Sequence, residues 1–237
     1  MPFAYRDTCG LYYELSGDPA GPPLVLVRGL ARSSRYWRPV LPHLAGFRIL
    51  LVDNRGVGKS DATPPPYSSR QLADDIVAVM DAAGIARAHV FGISLGGMIA
   101  QHLAIAHGDR VDRLVIGCST PGGRHAHHPA LAARWAQLRQ LRELKRAPDD
   151  DPARARGVLG QLVAALRHDA FDRLGEILHP TLIVTGVDDA IIPPANSRLL
   201  AERIPNAQLV VLPGARHDFT TDQPVESGRA VVEFLTR

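Results

Sequence analysis

Gly92-Ile93-Ser94-Leu95-Gly96-Gly97 holds a serine between glycines two residues before it and two residues after it. His89 to Phe91 just ahead reads as a short strand, and Leu95 to His107 behind it has helical period, so Ser94 stands at a strand-to-helix junction. A serine on so tight a turn projects its hydroxyl past the carboxyl edge of a sheet, and the following helix amino end favours negative charge on a bound oxygen. A glycine-rich turn with an N-capping serine would carry the same letters, so the chemistry depends on partners. A hydroxyl becomes a nucleophile when a base takes its proton and a third group holds that base in the right tautomer. Both kinds of group occur further along. Asp188 and Asp189 follow the apolar run Leu182 to Thr185, and His217 follows the apolar run Leu209 to Leu212. Serine, acid and histidine therefore each stand just past a strand, at the edge where α/β sheets bind ligands.

The elements that must position them alternate. Strand-length apolar bursts at Leu24 to Val27, Phe47 to Val52, His89 to Phe91, Leu114 to Gly117, Leu182 to Thr185 and Leu209 to Leu212 are separated by stretches of helical period. That alternation predicts an α/β fold with a mostly parallel central sheet and helices on both faces. Phe3 to Tyr5 and Leu11 to Leu15 suggest an opening hairpin, and Tyr36 to Leu44 a short helix interrupted by Pro39 and Pro42. Ser69 to Ala83 reads as a helix, with serine at its start and Gly84 past its end. Asn196 to Ile204 and Val225 to Leu235 are the closing helices.

The alternation stops between Pro121 and His179, where there is helical periodicity and no convincing strand. The expected division is a core of residues 1–120 and 181–237 with a helical lid inserted at 121–180. Leu131, Trp135, Leu138, Leu141 and Leu144 make one apolar stripe there, expected to turn inward and shape a pocket, with a second helix from Ala153 to Arg167.

Composition excludes several classes. The chain has 237 residues, 46% hydrophobic and 22% charged, enough for a full core and too apolar for disorder. Its net charge is +3, and residues 122–180 carry ten basic against seven acidic residues, so the whole surplus lies in that segment. Without a dense basic stripe or interleaved aromatics, nucleic acid is not an expected partner. No apolar run is long enough to cross a bilayer, and Met1 to Val27 lacks a charged stretch followed by an apolar block, so no membrane partner is expected. Cys9 and Cys118 stand far apart without metal-type spacing, which predicts reduced thiols in a cytoplasmic protein.

The sequence resembles the α/β-hydrolase superfamily, within it the small-lid group of 3-oxoadipate enol-lactonases and related esterases, over nearly its whole length. Besides the Ser94 turn, the resemblance rests on three stretches. These are Asp53-Asn54-Arg55-Gly56-Val57-Gly58-Lys59-Ser60-Asp61, Gly186-x-x-Asp189-x-x-x-Pro193, and Ala201 to Pro213 with Gly214, His217 and Gln223-Pro224. It implies Ser94 as nucleophile, His217 as base and Asp189 as orienting acid, with Asp188 the alternative. It also implies an oxyanion hole from the backbone amides of Leu30 and Leu95. The family usually opens the Leu30 loop with His-Gly, where this chain has Arg28-Gly29. Arg28 is then a candidate for holding that loop or for binding an anionic substrate, and Trp135 for lining the acyl pocket.

The implied activity is hydrolysis of a small-molecule ester or lactone, with no cofactor and no metal. The same triad also suits acyl transfer, perhydrolysis or carbon–carbon bond hydrolysis, and the fold alone suits a non-catalytic ligand binder. A homo-oligomer stays open alongside a monomer. Gly58-Lys59-Ser60 imitates the end of a phosphate loop, but Asp53 occupies the place of its first glycine and Pro64-Pro65-Pro66 follows where a helix should begin. His125, His127 and His128 lack partners at ligand spacing, and His102 and His107 lie on a helix that runs away from Ser94.

Overall fold

The structure, a computed structural model, describes residues 2–129 and 155–237. Eight strands form one sheet: β1 Phe3–Arg6, β2 Cys9–Gly17, β3 Pro23–Val27, β4 Arg48–Val52, β5 Ala88–Ile93, β6 Val111–Gly117, β7 Thr181–Gly186 and β8 Ala207–Leu212. Their spatial order is β1-β2-β4-β3-β5-β6-β7-β8. The opening hairpin is antiparallel and β2 pairs antiparallel with β4; all other pairs are parallel, as the alternating pattern predicts. The chain builds outward from β3 to β4, then crosses to β5 on β3's other side. The order reverses there, the topological switch point where open α/β sheets hold ligands.

Strand residues alternate between two apolar layers. Leu24 and Leu26 join Trp37, Phe91, Val231 and Phe234 on one face. Val25 and Val27 join Leu72, Ile76, Ile99 and Leu103 on the other. Both faces are covered by the helices α1 Ser69–Ala82, α2 Leu95–Ala106, α3 Ala155–Leu166, α4 Ala195–Arg203, α5 Phe219–Asp222 and α6 Pro224–Leu235. The α1 start is capped by Ser68 Oγ, which accepts from the Gln71 amide at 3.1 Å, and Gly84 just past the end has φ 66°.

Two local readings change. Tyr36 to Leu44 is not one helix but two 3₁₀ turns, Ser34–Trp37 and Leu41–Leu44, because Pro39 and Pro42 lack the N–H groups that an α-helix there would need. The four-residue α5, directly behind His217, has no counterpart in the sequence reading. Within 121–180 the described parts are 3₁₀ turns at Gly123–His125 and Phe171–Glu176, the helix α3, and one isolated bridge between Gly122 and Asp169. The apolar stripe with Trp135 lies outside the described residues.

Candidate active site

β5 is buried throughout, and at its end the backbone turns through Ser94 with φ 59° and ψ −121° into α2. A non-glycine residue stays in that region only when its surroundings over-determine it. Here they do. Ser94 donates its amide to the Gly117 carbonyl at 2.8 Å, and its own carbonyl accepts from the Gly97 amide at 2.9 Å and the Ser119 hydroxyl at 2.9 Å. The glycines are steric necessities: a Cβ on Gly92 would collide with the Gly96 carbonyl, and one on Gly96 with the Val27 carbonyl at the end of β3. The loop after β3 lies against this turn, since a Cβ on Gly29 would come within 2.9 Å of Ser94 Cβ.

Asp189 sits past β7, buried, with Oδ1 accepting the Ile191 and Ile192 amides at 2.8 and 2.9 Å. Its Oδ2 lies 2.8 Å from Nδ1 of His217, which follows β8. Asp188, next in the chain, is exposed. The histidine loop is anchored beneath the elbow by Phe219, whose ring stacks on Phe91 at 6.4 Å and is so near Gly117 that a Cβ there would come within 2.8 Å of it. Ser94 Oγ makes no hydrogen bond among the described residues, so hydroxyl to imidazole is the link of the expected chain left open.

The Leu30 amide likewise donates to no acceptor among the described residues, and Leu95 is the first residue of α2. The Arg28 side chain turns inward. Its Nη2 donates to Asp218 Oδ1 at 2.7 Å and its Nη1 to Thr220 Oγ1 at 2.9 Å, and the guanidinium stacks on Trp37. Burial pulls the Arg28 pKa down and Asp218 counters it. Burial alone would push the Asp218 carboxyl up, but the charge and hydrogen bond of Arg28 outweigh it and hold that carboxyl below the usual range. The pair ties the residue before Gly29 to the residue after His217. Asp218 is visible to sequence reading only as a neighbour of the histidine.

Cys118 was not singled out by spacing, yet it stands directly past β6 on the same edge. Its thiol, a carboxylate oxygen of Asp189 and a ring nitrogen of His217 lie within 4.8 Å of one another. Burial first, then the Asp189 charge, push the thiol far up, so it stays protonated. A thiol that stays protonated is a poor metal ligand, because it is the thiolate that binds a metal.

The decoys fall elsewhere. Lys59 Nζ donates to Tyr12 Oη at 3.0 Å, and Asp53 Oδ2 accepts the Lys59 amide at 2.9 Å, so that loop closes on itself. A polar cleft of about 360 Å³ opens beside these residues, lined also by Ser33 and Arg38, and contains none of Ser94, Asp189 or His217. His125 stacks on Phe171, His107 Nε2 lies 2.8 Å from Asp74, and His102 packs edge-on to His168.

Comparison with known proteins follows the same lines. The model of the α/β-hydrolase fold family matches residues 22–167 and, overlapping, 126–224. The chain belongs to the α/β-hydrolase fold family. Among relatives of this α/β hydrolase is a protein of Caulobacter sp. (strain K31), provisionally named carbamate hydrolase RutD, 35% identical across 96% of each chain. The enol-lactonase from Burkholderia xenovorans LB400 superposes with a TM-score of 0.86 at 26% identity, covering 100% of both chains. Est816, described as an N-acyl homoserine lactone degrading enzyme, gives a TM-score of 0.79 at 27% identity over 98% of this chain and 100% of that one. The described residues include no helix long and apolar enough to cross a membrane.

Proposed function

We propose that this α/β hydrolase cleaves an ester or lactone of a small to medium-sized substrate through an acyl-enzyme on Ser94. His217 takes the Ser94 proton as the hydroxyl attacks the carbonyl carbon. The Leu30 and Leu95 amides hold the oxygen that becomes negative, and His217 returns the proton to the leaving group. Water, activated by the same imidazole, then releases the acid. Asp189 holds His217 with Nε2 free to face the serine and balances the positive charge that develops on the ring. The observation that carries this is the 2.8 Å contact between His217 Nδ1 and Asp189 Oδ2, joining the ends of β8 and β7 beside the strained Ser94 turn. The open hydroxyl-to-imidazole link is consistent with it, since catalytic hydrogen bonds are often long without substrate and tighten on binding. We place the enzyme in a reducing, cytoplasmic setting on its two free, buried cysteines.

A second reading, hydrolysis of a carbamate, is favoured by the names of relatives matched along almost the whole chain. It asks the same machinery to attack a carbonyl that carries nitrogen. A panel of p-nitrophenyl esters of rising acyl length, γ- and δ-lactones and a simple carbamate separates the readings by kcat/KM. Ser94→Ala is expected to abolish turnover of every productive substrate with the fold unchanged by circular dichroism. Undiminished hydrolysis in Ser94→Ala overturns the assignment.

A further inference from the structure

Helix α3 meets the core through residues 157, 160, 161 and 164, one face at helical spacing. Three of them are small. Gly157 rests on Gly56, Gly160 on the ring of Tyr67, and the Ala164 carbonyl accepts from Ser69 Oγ at 3.2 Å. The fourth is Gln161, with no exposed surface at all, while Leu159 and Leu166 on the same helix are exposed. A fully buried glutamine is uncommon and needs its amide satisfied. Its Oε1 accepts the Ala31 amide at 2.9 Å, and its Nε2 donates to the Arg55 carbonyl at 2.9 Å.

Ala31 is where this matters. The Arg32 amide donates to the Gly29 carbonyl at 3.2 Å, closing a four-residue turn around Leu30 and Ala31. Ala31 has φ 57°, the left-handed third position of a type II turn, which glycine usually fills. The Gly29 carbonyl and the Leu30 N–H share one planar trans peptide and point in opposite directions, so the Gly29 to Arg32 bond also aims the Leu30 donor. The next peptide carries the Ala31 N–H, and Gln161 is its acceptor. Without that acceptor the turn would leave a buried amide unpaired and an alanine in a strained conformation. An unpaired buried amide and an alanine held at positive φ would together loosen the turn, and with it the Gly29 to Arg32 bond that aims the Leu30 donor.

We infer that Gln161 is a positioning residue for the Leu30 oxyanion donor, so that docking of α3 on the core sets whether the catalytic site is assembled. This rests on the hydrolase reading above. Gln161 touches no reacting atom; it acts by holding the turn.

The test compares Gln161→Met, of similar length without hydrogen bonds, and Gln161→Glu with the unmodified enzyme and Ser94→Ala. On a p-nitrophenyl ester, Gln161→Met is expected to lower kcat about 10- to 100-fold, less than the roughly 10²- to 10³-fold of losing a donor outright, with KM within about threefold. Inhibition by phenylboronic acid, whose tetrahedral adduct places an oxygen in the oxyanion hole, should weaken by a matching factor. Gln161→Glu gives a pH signature that a merely structural role would not. Burial raises its carboxyl pKa, and the protonated acid can both accept from Ala31 and donate to Arg55, whereas the buried carboxylate faces the Arg55 carbonyl oxygen with no proton between them and is driven out of its place against Ala31. Its activity relative to the unmodified enzyme should therefore fall as pH rises.

Unchanged kcat in Gln161→Met overturns the inference. So does a raised KM with kcat intact, or a fall in kcat without weaker boronate binding. If Gln161→Met fails to fold, the pH profile of Gln161→Glu decides alone, and a profile parallel to the unmodified enzyme overturns the inference. An inactive Ser94→Ala beside a fully active Gln161→Met rejects only the role of Gln161. An active Ser94→Ala rejects the hydrolase reading itself.

Discussion

Nδ1 of His217 lies 2.8 Å from Oδ2 of Asp189, while Oδ1 of the same carboxylate is taken by the Ile191 and Ile192 amides. Two amides on one oxygen leave the other aimed at the imidazole, so the carboxylate fixes both the ring's direction and its tautomer. Asp189→Asn puts an amide donor or a weaker acceptor in that place. It is expected to lower kcat about 10⁴-fold with the fold retained, as tautomer loss does in comparable triads. Asp188→Asn, altering an exposed neighbour, should leave kcat within about twofold. The two variants assayed side by side on one ester decide between the adjacent carboxylates.

Arg28 is a charge beside Gly29 that the fold turns inward onto Asp218, Thr220 and Trp37. Its side chain is 3% exposed and that of Asp218 is 32% exposed. Arg28→Ala should destabilise the protein by about 3 kcal/mol in urea unfolding, at the lower end for a broken buried pair because water reaches Asp218. Arg28→Lys should recover little, because one ammonium cannot meet Asp218 and Thr220 together while stacking on Trp37. KM for carboxylate-bearing and neutral esters should change in the same proportion in these variants. A selective loss for the anionic ester would give Arg28 a role in binding.

Much of this was readable from the residues. Strand-length apolar bursts and the Ser94, Asp189 and His217 positions past strand ends are local properties, and a strand's end fixes which edge a residue reaches. Gln161 and the Arg28 to Asp218 pair were not readable, because the partners are 130 and 190 residues apart and nothing in the intervening sequence marks the contact. The spacing of Cys118 from Cys9 carries no sign of the site; its place directly past β6 does. The short helix expected over 36–44 with interruptions at Pro39 and Pro42 is two 3₁₀ turns, since the prolines leave no run long enough for α-helical bonds.

The two cysteines differ from the serine in state as well as place. Neither has exposed surface. Burial raises the Cys9 pKa to about 11, with Arg55 only partly countering, and lifts the Cys118 thiol well above its ordinary value. Thiolate is the reactive form, so both should resist an aromatic disulfide reagent at pH 8 in the native protein and react fully in urea. Fast native labelling of Cys118 would mean that the floor of the site opens far more often than its packing allows.

His168 links the segment before β7 to stability at acid pH. It packs against His102, and Nε2 contacts the Thr120 carbonyl at 3.2 Å. Burial, then repulsion from His102, lower its pKa from 6.5 to about 3, against a small opposing effect of the Thr120 contact. The sign follows from which state binds the proton. Above pH 6.5 the ring is neutral folded or unfolded and contributes no pH dependence. As pH falls below 6.5 the unfolded chain takes up a proton that the native protein refuses, so stability drops, and the drop levels off near pH 3. At about 1.4 kcal/mol per pH unit, this one group removes about 2–3 kcal/mol by pH 4.5. His168→Gln keeps a neutral donor toward Thr120 and cannot titrate. Urea midpoints for both proteins at pH 8 and 4.5 should show a pH-induced loss smaller in the variant by that amount. Equal losses would mean that His168 is protonated in the native state and that its burial does not govern the acid limb.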